Sequence, residues 1–119
     1  MNRRLIYVVD DEPAIRRYFG AALPALGYDV AVFGEVCVCV EAVRKTRPDL
    51  VIMDWLMPGL SQGPALTALR AAGAPCVVIC SALALPDDVE RIRATGPDDY
   101  LSKPCTLEDI EAGLKRWLP

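Results

Sequence analysis

Apolar residues in this chain gather in short unbroken runs: Leu5–Val9 (LIYVV), Val30–Phe33 (VAVF), Leu50–Met53 (LVIM) and Cys76–Cys80 (CVVIC), with a weaker fifth at Tyr100-Leu101. A strand with one wet face alternates apolar and polar residues, whereas a strand covered on both faces does not. These runs therefore predict buried strands of a parallel sheet layered between helices. Helical patterns fill the intervals. In the first, Pro13 suits the opening position, Ile15, Tyr18, Phe19, Ala22, Leu23 and Leu26 recur at helical spacing, Pro24 is expected to bend the last turn, and Gly27 closes it. The last helix opens at Thr106, a good N-cap with Asp109 three residues on, and carries Leu107, Ile110, Leu114, Trp117 and Leu118 on one side.

The second helix is the element where local and global signals conflict. Val36-Cys37-Val38-Cys39-Val40 has strand propensity, but a connection between two parallel strands demands a helix there. The third helix is expected from Pro64 to Ala72 with Gly73 as its stop, and the fourth from Pro86 to Ala94 with Gly96 beyond. Five strands alternating with five helices make a doubly wound α/β domain, flavodoxin-like in size. Residues 1–119 read as a single domain with no room for a second.

Composition narrows the chemistry. With no histidine, the chain lacks the commonest general base, the commonest zinc ligand and any Ser-His-Asp or Cys-His pair. Thirteen Lys and Arg against sixteen Asp and Glu leave a net charge of -3 and no basic stripe, which argues against direct nucleic-acid binding. Arg91, Arg93, Lys115 and Arg116 read as a solvated helix face. No apolar run approaches the roughly 18 residues of a membrane span, and the amino terminus turns acidic where a signal peptide would stay apolar, so a cytoplasmic location is expected. Five cysteines, with no Cys-x-x-Cys spacing, read as reduced and partly buried small apolar residues.

The polar residues that interrupt the pattern stand at the carboxyl ends of the predicted strands, where open α/β sheets place their functional groups. The first strand runs into Asp10-Asp11-Glu12, the third into Asp54, the fourth into Ser81 and the fifth into Lys103-Pro104. Carboxylates crowded together repel unless a cation lies among them, and oxygen ligation without His or Cys suits Mg²⁺. Lys103 and Ser81 would hold phosphoryl oxygens, and Asp54, alone at a buried strand's tip, suits a carboxylate nucleophile that forms an aspartyl-phosphate.

Four motifs then occur in order: VVDDE (Val8–Glu12), DLVIMDWLMPG (Asp49–Gly59), VVICSA (Val77–Ala82) and GPDDYLSKP (Gly96–Pro104). Over nearly its whole length the chain resembles a receiver domain of the two-component response-regulator family. That resemblance implies a strand order of 2-1-3-4-5, Asp54 as phosphoacceptor, Asp11 as direct Mg²⁺ ligand with Asp10 acting largely through water, and the Leu56 carbonyl completing the metal site. It further implies that Ser81 and Lys103 bind phosphoryl oxygens, that Tyr100 is an aromatic switch turning from exposed to buried, and that Lys103-Pro104 is cis. The implied partners are a histidine kinase or histidine phosphotransfer protein, a second copy through the fourth helix, fifth strand and fifth helix, and a downstream effector or output domain. The implied role is signalling rather than turnover catalysis.

Three positions depart from the family's habit. Ser81 stands where many members carry threonine, Gln62 takes the place of a glycine usual before the third helix, and Pro97 follows Gly96 where a small residue is common. Leu56 and Leu83, each two residues beyond a site residue, are expected to form a dry rim that slows loss of the phosphoryl group. Trp55 is expected to be a partly exposed neighbour of the site. Two rival readings are a small Mg²⁺-dependent phosphatase, opposed by Leu56 where a second acid is needed, and a degenerate receiver serving only as an interaction module.

Overall fold

A computed structural model of the chain describes residues 3–60, 62–83 and 85–119. Strands β1 (Leu5–Val9), β2 (Asp29–Phe33), β3 (Leu50–Asp54), β4 (Val77–Ser81) and β5 (Asp99–Ser102) alternate with helices α1 (Pro13–Ala25), α2 (Val36–Lys45), α3 (Gln62–Ala72), α4 (Pro86–Ala94) and α5 (Leu107–Trp117). The strands form one sheet in the order β2-β1-β3-β4-β5 with every pair parallel, the expected doubly wound arrangement.

Alternate residues of each strand enter two separate cores, as a period of two requires. Tyr7, Val9, Val51, Met53 and Ile79 pack with α2, α3 and α4 through Val40, Leu66, Leu69 and Ile92. Ile6, Val8, Ile52, Val78 and Cys80 pack with α1 and α5 through Phe19, Leu23, Ile110 and Leu114. Each fully buried aliphatic side chain stabilises the fold by about 1.5–3 kcal/mol. The Val/Cys run does form α2, with Val36, Cys39, Val40 and Val43 turned inward, so burial of one helical face outweighs local strand propensity.

Four expectations are corrected. β2 is not buried on both faces: its residues are exposed or half-buried, because it is an edge strand. α3 begins at Gln62, two residues before Pro64, and Gln62 takes a left-handed φ of 58°. The displaced glycine leaves that conformation to a residue with a Cβ, at a cost of about 1 kcal/mol. Leu107 lies in the first turn of α5 but is exposed, the sealed stripe being Ile110, Gly113 and Leu114. β4 runs Val77–Ser81, one residue later than the apolar run, and its first N–H, that of Val77, is taken by the Asp98 carboxylate at 2.7 Å. Asp49 likewise accepts the Leu5 N–H at 2.8 Å, so these two acids cap strand starts at the edge of the sheet opposite the candidate site.

Pro13 does open α1, which runs on through Pro24 to Ala25. The Thr106–Asp109 capping box is complete in both directions. Lys103-Pro104 is cis. Among the described residues, no helix is long and apolar enough to cross a membrane.

Candidate functional site

The carboxyl ends of β1, β3, β4 and β5 bring together residues up to 93 positions apart. Parity along each strand decides where their side chains fall. Val9 and Met53 face the α2–α4 core, so Asp10 and Asp54, one residue further on, turn away from it. Trp55 returns to the parity of Met53, which is why it lies buried in that core rather than partly exposed beside the site.

One carboxylate oxygen each from Asp10, Asp11 and Asp54 lie within 4.8 Å of one another. Asp10 and Asp54 are buried and Asp11 is exposed. At 4.8 Å or less the two buried carboxylates, Asp10 and Asp54, repel by roughly 3.5 kcal/mol or more at an effective dielectric near 20, while water screens the exposed Asp11. Lys103 offsets part of this, with Nζ 2.7 Å from Asp10 Oδ2 and 3.5 Å from Asp54 Oδ1. Three carboxylates facing one ammonium leave an excess of negative charge on oxygen donors alone, which fits a hard divalent cation.

The titration of these groups follows from the same geometry. Burial raises the Asp54 carboxyl, and the charge of Asp10 adds to this, against the opposing pull of Lys103 and of a backbone hydrogen bond from Leu56. Desolvation pulls the Lys103 ammonium down, but its hydrogen bond to Asp10 and the charges of Asp10 and Asp54 outweigh it, so its pKa is raised. Lys103 is thus held charged while Asp54 is held short of full comfort as an anion.

Backbone contacts hold the remaining parts. Asp10 Oδ1 accepts the Glu12 N–H at 2.9 Å, and Ser81 Oγ accepts the Leu83 N–H at 3.1 Å. The Ser81 carbonyl accepts the Lys103 N–H at 2.8 Å, tying the tips of β4 and β5 together. Tyr100 is in the buried position, its hydroxyl donating to the Leu83 carbonyl and, at 3.4 Å, to that of Ser81. Leu56, in the turn after β3, is half exposed. The cluster therefore unites Asp10, Asp11, Asp54 and Lys103, with Ser81 and Tyr100 linked to it through the β4 end.

Residues 6–115 match the family described as the response regulator receiver domain. The chain belongs to that family. It is 34% identical over 113 residues to the DNA-binding response regulator MtrA of Mycolicibacterium smegmatis, covering 95% of this chain and 50% of the relative. It is 31% identical over 115 residues to the probable transcriptional regulatory protein TcrX of Mycobacterium tuberculosis, covering 95% and 49%. The chain thus spans about half the length of the curated relatives it matches. Among solved structures, the receiver domain of a sensor histidine kinase from Pseudomonas aeruginosa superposes with a TM-score of 0.87 at 28% identity, covering 98% of both chains. That domain holds a magnesium ion in its active site cleft. The chemotaxis protein CheY4 of Vibrio cholerae matches in fold, with a TM-score of 0.89 at 23% identity over 98% of this chain and 100% of that one. Receiver domains are signalling modules of two-component systems, and the acidic cluster of this one fits a phosphorylation site.

One contributor escaped the sequence reading. Arg16, in α1, donates to the Asp10 carbonyl at 2.8 Å and fixes the backbone that presents both acids. Gly34 makes room for it, since a Cβ there would sit 3.1 Å from the Arg16 guanidinium. The only sequence signal is an arginine one helical turn inside α1, indistinguishable from its solvated neighbour Arg17.

Proposed function

We propose that this receiver domain takes up a phosphoryl group on Asp54 and converts that local charge into a change at the surface of α4, β5 and α5. The observation that carries the reading is the cluster itself: oxygens of Asp10, Asp11 and Asp54 within 4.8 Å, with the Lys103 ammonium against two of the three acids. Asp10, Asp11, Asp54 and the Leu56 carbonyl would hold Mg²⁺, Asp11 directly and Asp10 largely through water. When bound, the ion supplies positive charge that offsets the carboxylates and the incoming phosphoryl oxygens. The donor is a histidine kinase or histidine phosphotransfer protein, in keeping with a chain that carries no histidine of its own.

In the transfer the donor's P–N bond breaks and a bond forms between phosphorus and an Asp54 carboxylate oxygen. Lys103 holds one phosphoryl oxygen and the Ser81 hydroxyl donates to another. The Ser81 Oγ accepts the Leu83 N–H through a lone pair, so its O–H proton is free to donate, and a hydroxyl drawn toward the phosphoryl group pulls on the Leu83 backbone. The Leu83 carbonyl anchors the Tyr100 hydroxyl, so Ser81, Leu83 and Tyr100 move as a linked set. Tyr100 lies on the α4 side of the sheet, which supports α4, β5 and α5 as the responding surface for a second copy, a downstream effector or an output domain outside this chain. The setting is the cytoplasm, with no membrane contact and no direct nucleic-acid contact by this domain. It promotes its own phosphorylation and dephosphorylation without being a turnover enzyme.

The test is intact mass after incubation with acetyl phosphate and Mg²⁺. One added phosphoryl group is expected on the unaltered protein and none on Asp54→Asn. A folded, unaltered protein that gains no phosphoryl mass overturns the reading.

A further inference from the structure

Cys80, in β4, and Cys105, three positions after β5, have their Sγ atoms 4.0 Å apart. Both line a cavity of about 370 Å³ that Ile15, Tyr18, Phe19, Ala82, Lys103 and Pro104 also line. It opens on the α1 side of the sheet, across β4 from Tyr100. Cys80 is buried and Cys105 half-buried, so the cavity is the route by which a small oxidant reaches either sulfur. A disulfide needs about 2.05 Å between sulfurs, and the empty volume both side chains already border gives them room to rotate together.

The other thiols are differently placed. Burial pushes Cys39 up to about 12, and burial with the neighbouring Asp98 pushes Cys76 up to about 11, which makes both poor nucleophiles. Cys37 is exposed on α2. Cys105 is the more accessible of the pair, half-buried against the buried Cys80, so a peroxide entering the cavity meets it first.

We infer that Cys80 and Cys105 form a peroxide-sensitive dithiol whose oxidation to a disulfide ties β4 to the start of α5 and slows phosphoryl transfer at Asp54. In the first step the Cys105 sulfur attacks a peroxide oxygen: an S–O bond forms, the O–O bond breaks, and the departing hydroxide leaves as water with the thiol proton. In the second the Cys80 sulfur attacks the sulfenic sulfur: the S–S bond forms, the S–O bond breaks, and a second water leaves with the Cys80 proton. Two thiols lose two electrons and one peroxide is reduced to two waters.

The bridge acts next to the chemistry. Cys80 directly precedes Ser81, and Cys105 lies two residues after Lys103. Drawing the sulfurs together shifts the two segments that place the Ser81 hydroxyl and the Lys103 ammonium. Displacement of about 1 Å at a reacting centre costs up to about 100-fold, and a tenth of that effect, about tenfold, is expected here. The slowing rests on the phosphoacceptor reading; the bridge does not.

The protein is treated with hydrogen peroxide, denatured, alkylated and mapped by mass spectrometry, while a parallel sample is phosphorylated with acetyl phosphate and Mg²⁺. Expected are a linked Cys80–Cys105 peptide, a phosphorylation rate lowered about tenfold, recovery of both with dithiothreitol, and no rate effect of peroxide on Cys105→Ser. Cys80 left free to alkylate after peroxide has consumed Cys105 overturns the inference, as does a bridge that leaves the rate unchanged. Normal phosphorylation of reduced protein in which no bridge ever forms sinks the dithiol and spares the phosphoacceptor reading. A bridge in protein that accepts no phosphoryl group in either state supports the dithiol and overturns both the slowing and the phosphoacceptor reading.

Discussion

Leu83 shows how much one residue beside the site can carry. Its N–H occupies the Ser81 hydroxyl oxygen, its carbonyl holds the Tyr100 hydroxyl, and its side chain shares a cavity of about 240 Å³ with Leu56 and Trp55. On the proposed phosphoacceptor reading, these two leucines are the expected apolar rim beside Asp54, and they offer an approaching water no hydrogen bond. Leu83→Gln keeps the backbone contacts and adds a polar group to the rim. Its phosphoryl group is expected to decay severalfold faster than that of the unaltered protein, followed by intact mass after acetyl phosphate is removed. An unchanged lifetime would show that the apolar rim plays no part. Gln62 lines the same cavity with a left-handed backbone, a geometry the displaced glycine left open at the level of sequence.

At the scale of elements, α5 is locked to β5 by one acid. Asp99 Oδ2 accepts from Trp117 Nε1 at 2.8 Å and from Arg116 at 3.0 Å, while Arg93 of α4 stands 4.0 Å from Oδ1, which also accepts the Tyr100 N–H. Desolvation raises the Asp99 carboxyl, but the bonds from Trp117, Tyr100 and Arg116 outweigh it, and the net shift is downward. A carboxyl lowered in the folded state stabilises the fold fully above its unfolded value of 3.8, and that contribution is lost as pH falls from there through the folded value. The stability gap between the unaltered protein and Asp99→Asn, read from urea unfolding, is therefore expected to be constant near neutrality and to shrink below pH 3.8. A gap that is flat through that range would remove Asp99 from the account.

The Trp117 ring lies over Gly113, where an added Cβ would clash with the ring, its nearest atoms lying under 3.0 Å away. Relief means swinging the ring off Asp99. A helical Gly→Ala change gains about 1 kcal/mol, while overpacking costs about 1–3 kcal/mol, so Gly113→Ala is expected to destabilise by about 1 kcal/mol. With Trp117→Ala already present, the same change should stabilise. Urea unfolding of the single and double variants reads both signs, and destabilisation in both backgrounds would exclude the ring as the cause. Nothing in the local sequence announces this packing, since Gly113 and Trp117 read simply as a weak helix residue and an apolar one.

For the whole molecule, the main consequence is linkage between site and stability. A cation that binds the folded cluster and not the unfolded chain stabilises by about 2.7 kcal/mol at a hundred times its Kd. Mg²⁺ is expected to raise the thermal midpoint of the unaltered protein and to raise that of Asp11→Asn by less than half as much. Asp11 is exposed, so the substitution tests the site without opening the core. Equal responses would place the ion elsewhere.

The order of elements, the buried central strands β1, β3 and β4, the stops at Gly73 and Gly96 and the polar residues at the strand ends were legible along the chain, because each depends on neighbours within one turn or one strand. Four motifs in order were enough for the family, and with it the strand order. Tertiary structure decided the rest. Whether β2 is covered depends on which strand lies at the sheet's edge, and whether Trp55 is buried depends on which core its parity enters. Lys103 meets Asp10 across 93 positions, and Cys80 meets Cys105 across 25, only because parallel strands end on one edge. Local patterns report burial and periodicity, whereas distances between remote side chains exist only once the sheet has set its register.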